Sequence, residues 1–258
     1  MTSPRVAKPL LAGKRLLITG AARGLGLDFA QAACAAGARV VMADILDELV
    51  AQEAAALAEQ GFEAVAVKLD LADPASVEAV AAFSAQTLGA VDGLVNCGAI
   101  ATGIGGPDMC ELEIDTWDRV MSVNVRGTWL MSRAMVPHLA ASGAGRIVNI
   151  ASDTALWGAP RLMAYVASKG AVISMSRSMA RELGERNICV NCICPGLTLV
   201  EATAYVPRER HDHYINGRAI QREQMPEDVS GSVLYLLSDL AGFVTGQTLP
   251  VNGGFVFN

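Results

Sequence analysis

The chain lacks any run of 18 apolar residues, any excess of basic residues, and any stretch rich in proline, serine or charge of one sign. The first absence excludes a helical membrane span, which takes roughly 20 apolar residues. A net charge of −6 without a basic stripe argues against nucleic acid or anionic lipid as a partner. With no linker and no internal repeat, the 258 residues are expected to form one large α/β domain with a sizeable core. Met1 to Lys8 carries Arg5 and Lys8 but no apolar segment of a signal peptide. Residues 1–12 are therefore expected to be a tail, 13–258 the domain, and the cytoplasm the address.

Six cysteines in such a chain read as reduced core residues. Cys189, Cys192 and Cys194 raise the question of a metal. They fall in an apolar run that reads as a strand, where Cys192 and Cys194 share one face and Cys189 points to the other. The three cannot converge on one ion, and no metal is expected.

What is present is a set of short apolar runs that break into glycine or acid. Leu16-Leu17-Ile18-Thr19 runs into Gly20, Gly24 and Gly26, a G-x-x-x-G-x-G spacing, and then resumes with helical periodicity. This reads as a strand, a phosphate-binding turn and a helix N-terminus whose N–H groups face a pyrophosphate; an ordinary strand-to-helix loop is the plainer alternative. A helix over 25–36 and a strand over 39–44 follow. Asp44, 20 residues beyond Gly24, ends that strand where a carboxylate accepts bonds from both hydroxyls of an adenosine ribose and repels a 2′-phosphate. NAD is thus expected over NADP, although Arg23 is a cation that a 2′-phosphate would suit. Capping the next helix is the alternative role for Asp44.

Helices over 45–60 and 76–88 alternate with strands over 64–70 and 91–96, which implies parallel pairing with ligands at the carboxyl ends of the strands. Asp70 at such an end suits the adenine amino group, or equally a cap for the helix near Pro74. A long apolar helix is expected over 115–141, containing Asn124 and, near its end, Pro137. A strand over 146–150 ends at Ala151-Ser152. Thirteen residues beyond Ser152 comes Tyr165, and if 161–183 is helical Tyr165 and Lys169 share one face. An ammonium one turn from a phenol lowers its pKa, which is near ~10 unperturbed, and a serine hydroxyl holds the substrate oxygen while Tyr165 moves its proton. An exposed helix face is the plainer reading of that pair taken alone.

From Thr19-Gly20-Ala21-Ala22-Arg23-Gly24-Leu25-Gly26, Asp44, Asp70, Asn124, Ser152, Tyr165, Lys169 and Pro195-Gly196, in this order and spacing, the chain resembles the short-chain dehydrogenases/reductases from about Leu11 onward. The resemblance implies a single Rossmann-like domain, a doubly wound parallel sheet of about seven strands with helices on both faces. It implies a Ser152/Tyr165/Lys169 centre, with Asn124 sustaining a water-mediated relay to Lys169. Lys169 would bind the nicotinamide ribose, Pro195-Gly196-Leu197-Thr198 would line the nicotinamide, and Asp70-Leu71 would touch adenine. Asn96 and Gly98 would belong to the cofactor loop, and the assembly would be a homotetramer. One departure stands out: Asn96-Cys97-Gly98-Ala99 replaces the family's Asn-Asn-Ala-Gly, and Cys97 reads as a small buried residue.

Residues 197–225 follow as a substrate lid, with His211 and His213 expected in solvent and Ile104, Leu156, Trp157 and Met163 expected at an apolar pocket. A helix over 226–239 and a strand over 247–251 complete the chain. The expected activity is hydride exchange between NAD and a secondary alcohol or ketone with an apolar body, aromatic or alicyclic. The rivals are an NADPH-dependent 3-oxoacyl thioester reductase and a non-catalytic dinucleotide-sensing regulator.

Overall fold

The apolar runs that the sequence ends in glycine or acid become the strands of one sheet, in a computed structural model that describes residues 8–257. They are β1 Arg15–Thr19, β2 Arg39–Asp44, β3 Ala64–Lys68, β4 Gly93–Asn96, β5 Gly145–Ile150, β6 Ile188–Pro195 and β7 Thr248–Val251. Their order is β3-β2-β1-β4-β5-β6-β7 and every pairing is parallel. Nearly unbroken apolar strands suit this arrangement, because a parallel sheet is covered on both faces. Every residue of β6 is buried.

The period-2 alternation sorts side chains between two cores. Leu16 and Ile18 pack with Phe29 of α1 Gly24–Ala35, Val50 of α2 Asp47–Glu59 and Val233 of α9 Glu227–Leu237. Leu17 faces the other way, into a cluster with Val77 of α3 Pro74–Leu88, Met131 of α5 Thr128–Ala141 and Ala180 of α7 Met163–Leu183. Each fully buried large side chain contributes about 1.5–3 kcal/mol. The chain reverses direction of winding between β1 and β4, which opens a crevice at their carboxyl ends.

Three elements depart from expectation. The helix expected over 115–141 is α4 Ile114–Met121, a π turn at Ser122–Gly127, and α5. The π turn falls on Asn124, whose side chain is committed to groups off the helix axis. Pro137 is accommodated inside α5. The expected tail is shorter: Leu11 is wholly buried and its N–H donates to the Ala36 carbonyl (2.9 Å), so packing begins before residue 13, while residues 1–7 lie outside the described part. Helix α7 starts at Met163, because Arg161 takes a left-handed backbone (φ 58°). Two short helices complete the chain, α6 Thr154–Trp157 and α8 Arg208–Gly217.

Candidate active site

The turn after β1 is shaped by contacts that leave no room for a side chain. A Cβ on Gly26 would lie 2.0 Å from the Gly20 carbonyl oxygen, so only glycine lets α1 start this close to the strand it follows. A Cβ on Gly20, itself at φ +69°, would lie 2.6 Å from Cα of Gly98. The β1 and β4 loops therefore touch through two bare backbones, and Thr19 Oγ1 accepts from the N–H groups of Cys97 and Gly98 (3.1 Å each) to hold them there. That contact explains why glycine stands at 98 in the altered Asn96-Cys97-Gly98-Ala99 sequence. Burial pushes the Cys97 thiol up to about 12, so it stays protonated at neutral pH.

The resulting cleft, about 560 Å³, is lined by Gly20, Arg23, Gly24, Leu25 and Gly26 from this turn, by Asp44, Asp70, Leu71 and Gly98 from the next strand ends, and by Ser152, Tyr165, Lys169, Pro195, Gly196 and Thr198. Asp44 accepts one backbone bond on each oxygen, from Ala22 N (3.0 Å) and Leu46 N (3.0 Å), which fixes the carboxylate and leaves a lone pair on each oxygen for a ligand. Asp70 accepts from Ala72 N (2.8 Å); the cap of α3 is Asp73, not Asp70, through Ala75 N (2.9 Å).

Two predicted residues are not at the cleft surface. The Asn96 side chain turns into the interior, donating to Ser132 Oγ (2.9 Å) and Asn149 Oδ1 (2.8 Å), so it braces β4 against β5 and α5 and does not face a cofactor. Asn124 is 1% exposed; its amide exchanges two bonds with Ile100 (2.7 and 3.0 Å) and donates to Ser168 Oγ (3.1 Å). It thereby ties the loop after β4 to the residue beside Lys169.

Ser152 sits at the end of β5, where its Oγ accepts from Thr154 Oγ1 (2.9 Å). Tyr165 and Lys169 come from the first two turns of α7. The Ser152 hydroxyl stands close enough to the Tyr165 hydroxyl to act on its ionisation. Lys169 Nζ donates to the Ile150 carbonyl (2.7 Å) and stands 5.6 Å from the centroid of the Tyr165 ring. Burial raises the phenol pKa, against a lowering by Ser152, and burial also lowers that of the ammonium. The expectation that Lys169 pulls the phenol below its ordinary value is therefore corrected: desolvation of Tyr165 is the larger effect here.

The apolar wall also differs from expectation. Ile100, Ala101, Val200 and Ala202 line the cleft. Ile104 is buried behind it with Val120 and Ala164, Leu156 packs toward Val172, Met163 faces outward, and Trp157 joins Tyr214, Phe255 and His213 in an aromatic cluster. His213 is exposed, as expected, yet its ring lies 5.4 Å from that of Phe255. Tyr205, placed by the sequence in the lid segment without a partner, donates from its hydroxyl to the Ala101 carbonyl (3.0 Å) and spans from the lid to the β4 loop. Sequence reading missed buried Asp153 and Arg218. The only local signal was an acid directly after Ser152. The Cys189 thiol donates to the Gly242 carbonyl (3.6 Å), whereas Cys192 and Cys194, both buried free thiols, lie near Lys169, with the Cys192 thiol donating to the Ile193 carbonyl (3.9 Å).

A parallel sheet with a glycine cradle at its switch point, and a serine, tyrosine and lysine at the strand ends beside it, defines a dinucleotide-binding α/β oxidoreductase. The family profile described as enoyl-(acyl carrier protein) reductase matches residues 20–256. The chain is 36% identical over 249 residues to 2-(S)-hydroxypropyl-CoM dehydrogenase 3 of Xanthobacter autotrophicus, covering 93% of this chain and 95% of that one. It is 36% identical to meso-2,3-butanediol dehydrogenase of Serratia marcescens (93% and 94% covered) and 37% to 3-alpha-(or 20-beta)-hydroxysteroid dehydrogenase of Mycobacterium bovis (95% and 90%). A short-chain dehydrogenase from Burkholderia cenocepacia, solved in complex with NADP, superposes with a TM-score of 0.87 at 31% identity, covering 95% and 99%. The chain belongs to the short-chain dehydrogenases/reductases, enzymes that use nicotinamide cofactors.

Proposed function

We propose that this chain is an NAD-dependent dehydrogenase that exchanges a hydride with a secondary alcohol or ketone of apolar body. The observation that carries it is the convergence, in one cleft, of the Asp44 carboxylate, the glycine cradle and the Ser152–Tyr165 pair. The cradle fits a dinucleotide, since added Cβ atoms at Gly20 and Gly26 would meet backbone. Gly20, Arg23, Gly24, Leu25 and Gly26 would hold the pyrophosphate, aided by the N-terminus of α1. Asp44 would hold the adenosine ribose, Asp70, Leu71 and Gly98 the adenine side, and Pro195, Gly196, Thr198 and Lys169 the nicotinamide end. When bound, the nicotinamide supplies the hydride donor or acceptor and, oxidised, one positive charge.

In this reading Ser152 positions the substrate oxygen and Tyr165 passes its proton to a ketone or takes it from an alcohol. A phenol raised by burial suits the donor role at neutral pH. Lys169, anchored on Ile150, stands next to the phenol and would bind the nicotinamide ribose, and Asn124 supports the relay through the Ser168 side of α7. The cleft wall formed by Ile100, Ala101, Val200 and Ala202 is apolar, which suits alkyl or alicyclic substrates; the butanediol and hydroxysteroid relatives bracket that range of size. Arg23, exposed at the cleft, favours a second reading as an NADPH-dependent 3-oxoacyl thioester reductase.

A homotetramer and a cytoplasmic location are proposed with it. Exposed Tyr235, Leu240, Phe243 and Leu249 around α9 and the edge strand β7 support a subunit contact, and free cysteines suit a reducing compartment, although Cys110 is exposed and Cys97 half-buried where six core residues were expected. The test is fluorescence titration with NADH and NADPH, followed by a panel of secondary alcohols and ketones read at the nicotinamide absorbance. At least tenfold tighter NADH binding and turnover of a panel member are expected. Preference for NADPH defeats the Asp44 argument.

A further inference from the structure

Behind the cleft lie three polar side chains that the reaction does not use. Asp153, Tyr214 and Arg218 are 0%, 2% and 4% exposed. Charged groups are buried at a cost, so each needs partners. Asp153 directly follows Ser152, and its N–H donates to the Pro195 carbonyl (3.0 Å). Its carboxylate accepts from the Tyr214 hydroxyl (2.9 Å) and from Asn252 Nδ2 (3.4 Å). Tyr214, in lid helix α8, in turn accepts from Trp157 Nε1 (3.2 Å), and its ring stacks on Phe255 at 4.3 Å.

Arg218, just past α8, stands 5.3 Å from the centroid of the Tyr214 ring. Its guanidinium donates to the carbonyls of Leu197 (2.7 Å), Arg222 (2.9 Å) and Asn252 (3.1 Å) and to Gln224 Oε1 (3.1 Å). The group presses on the loop at the nicotinamide end: a Cβ on Gly196 would lie 2.8 Å from Gln224 Oε1 and 3.1 Å from Arg218 Nη2. One connected set of bonds thus reaches the Ser152 turn, the 195–198 loop, the lid helix and the C-terminal segment.

We propose that Asp153, Tyr214 and Arg218 are positioning residues that latch lid helix α8 to the Ser152 turn and to the 195–198 loop, fixing the alcohol-facing and nicotinamide-facing groups as one unit. The proposal rests on the reaction proposed above. A purely structural need at this place is met by apolar packing, which avoids burying a carboxylate and a guanidinium. The geometry instead places each charge where it fixes a loop that carries site residues.

The test uses Tyr214→Phe, which keeps the ring stack and removes one donor, and Asp153→Asn. For Tyr214→Phe the KM of an alcohol oxidised by the wild type is expected to rise about tenfold, the scale of one lost bond to a buried charge, with kcat within threefold. Tryptic cleavage at Arg208 and Arg210 in α8 is expected to accelerate severalfold. The double variant is expected to be no worse than the worse single one, because Tyr214→Phe removes the donor of the bond whose acceptor Asp153→Asn stops being charged. Wild-type KM and a wild-type cleavage rate in Tyr214→Phe overturn the latch, as does a loss confined to thermal stability. If the wild type oxidises no alcohol, the proposed function fails, and the cleavage rate alone decides the latch: acceleration supports it and an unchanged rate overturns it.

Discussion

In the proposed reaction Tyr165 carries the acid–base chemistry, and its burial would set the pH dependence. A raised phenol is protonated at neutral pH, so ketone reduction is expected to be flat through neutrality and to fall only in alkali. Alcohol oxidation, which needs the phenolate, is expected to climb as pH rises. Initial rates in both directions from pH 6 to 10 check this, and an oxidation rate that falls with rising pH contradicts it. Gly20→Ala forces a Cβ to 2.6 Å from Cα of Gly98 at a positive φ; NADH affinity in fluorescence titration is expected to drop at least a hundredfold. At this scale the glycine turn and the strand-end place of Asp44 were legible in the sequence, because Gly20, Gly26 and Asp44 act through backbone geometry or through local bonds within one βαβ unit. Asn96 was not, since the partners that turn it inward, Ser132 and Asn149, lie 36 and 53 residues away.

Among the elements, β1 and β4 form the floor of the cleft, and one ion pair sets their register. Arg15 donates twice to Asp92 from its guanidinium (2.8 and 2.9 Å) and once from its N–H (2.9 Å). Burial works to raise the Asp92 carboxyl, but the bonds from Arg15 outweigh it and the net shift is downward. A lowered carboxyl contributes stability that is present above its unfolded value, near ~3.9, and is lost as pH falls through the folded value. Asp92→Ala is expected to cost about 2 kcal/mol at pH 7, read as a lower denaturation midpoint with an unchanged slope, and less at pH 3. A cost that does not shrink in acid contradicts the assignment. The strands and most helices were legible from apolar runs and their glycine or acid ends. The π turn was not: Ser122–Gly127 lies inside a longer run read as one helix, and the bonds that hold it open reach Ile100 and Ser168.

For the molecule as a whole, Asp153 acts on stability in the opposite sense to Asp92. Burial, partly offset by Tyr214, Asn252, Arg218 and Trp157, pushes its carboxyl up to about 6. The folded state then binds this proton more tightly than the unfolded state, so the contribution to stability is greatest below pH ~4 and declines as pH rises to about 6. Asp153→Asn is expected to remove that decline, so the Tm difference from the wild type becomes more favourable to the variant between pH 4 and pH 6; the reverse trend contradicts it. Overall architecture followed from the alternation of strands and helices, whereas the latch behind the cleft did not, because it joins residues 153, 214, 218 and 252 from four separate stretches. The account as a whole turns on one hydroxyl. In Tyr165→Phe, NADH affinity by fluorescence is expected to stay within threefold of the wild type while turnover of the identified alcohol falls at least a hundredfold. Turnover within a few-fold of the wild type, with the cofactor still bound, removes Tyr165 from the chemistry.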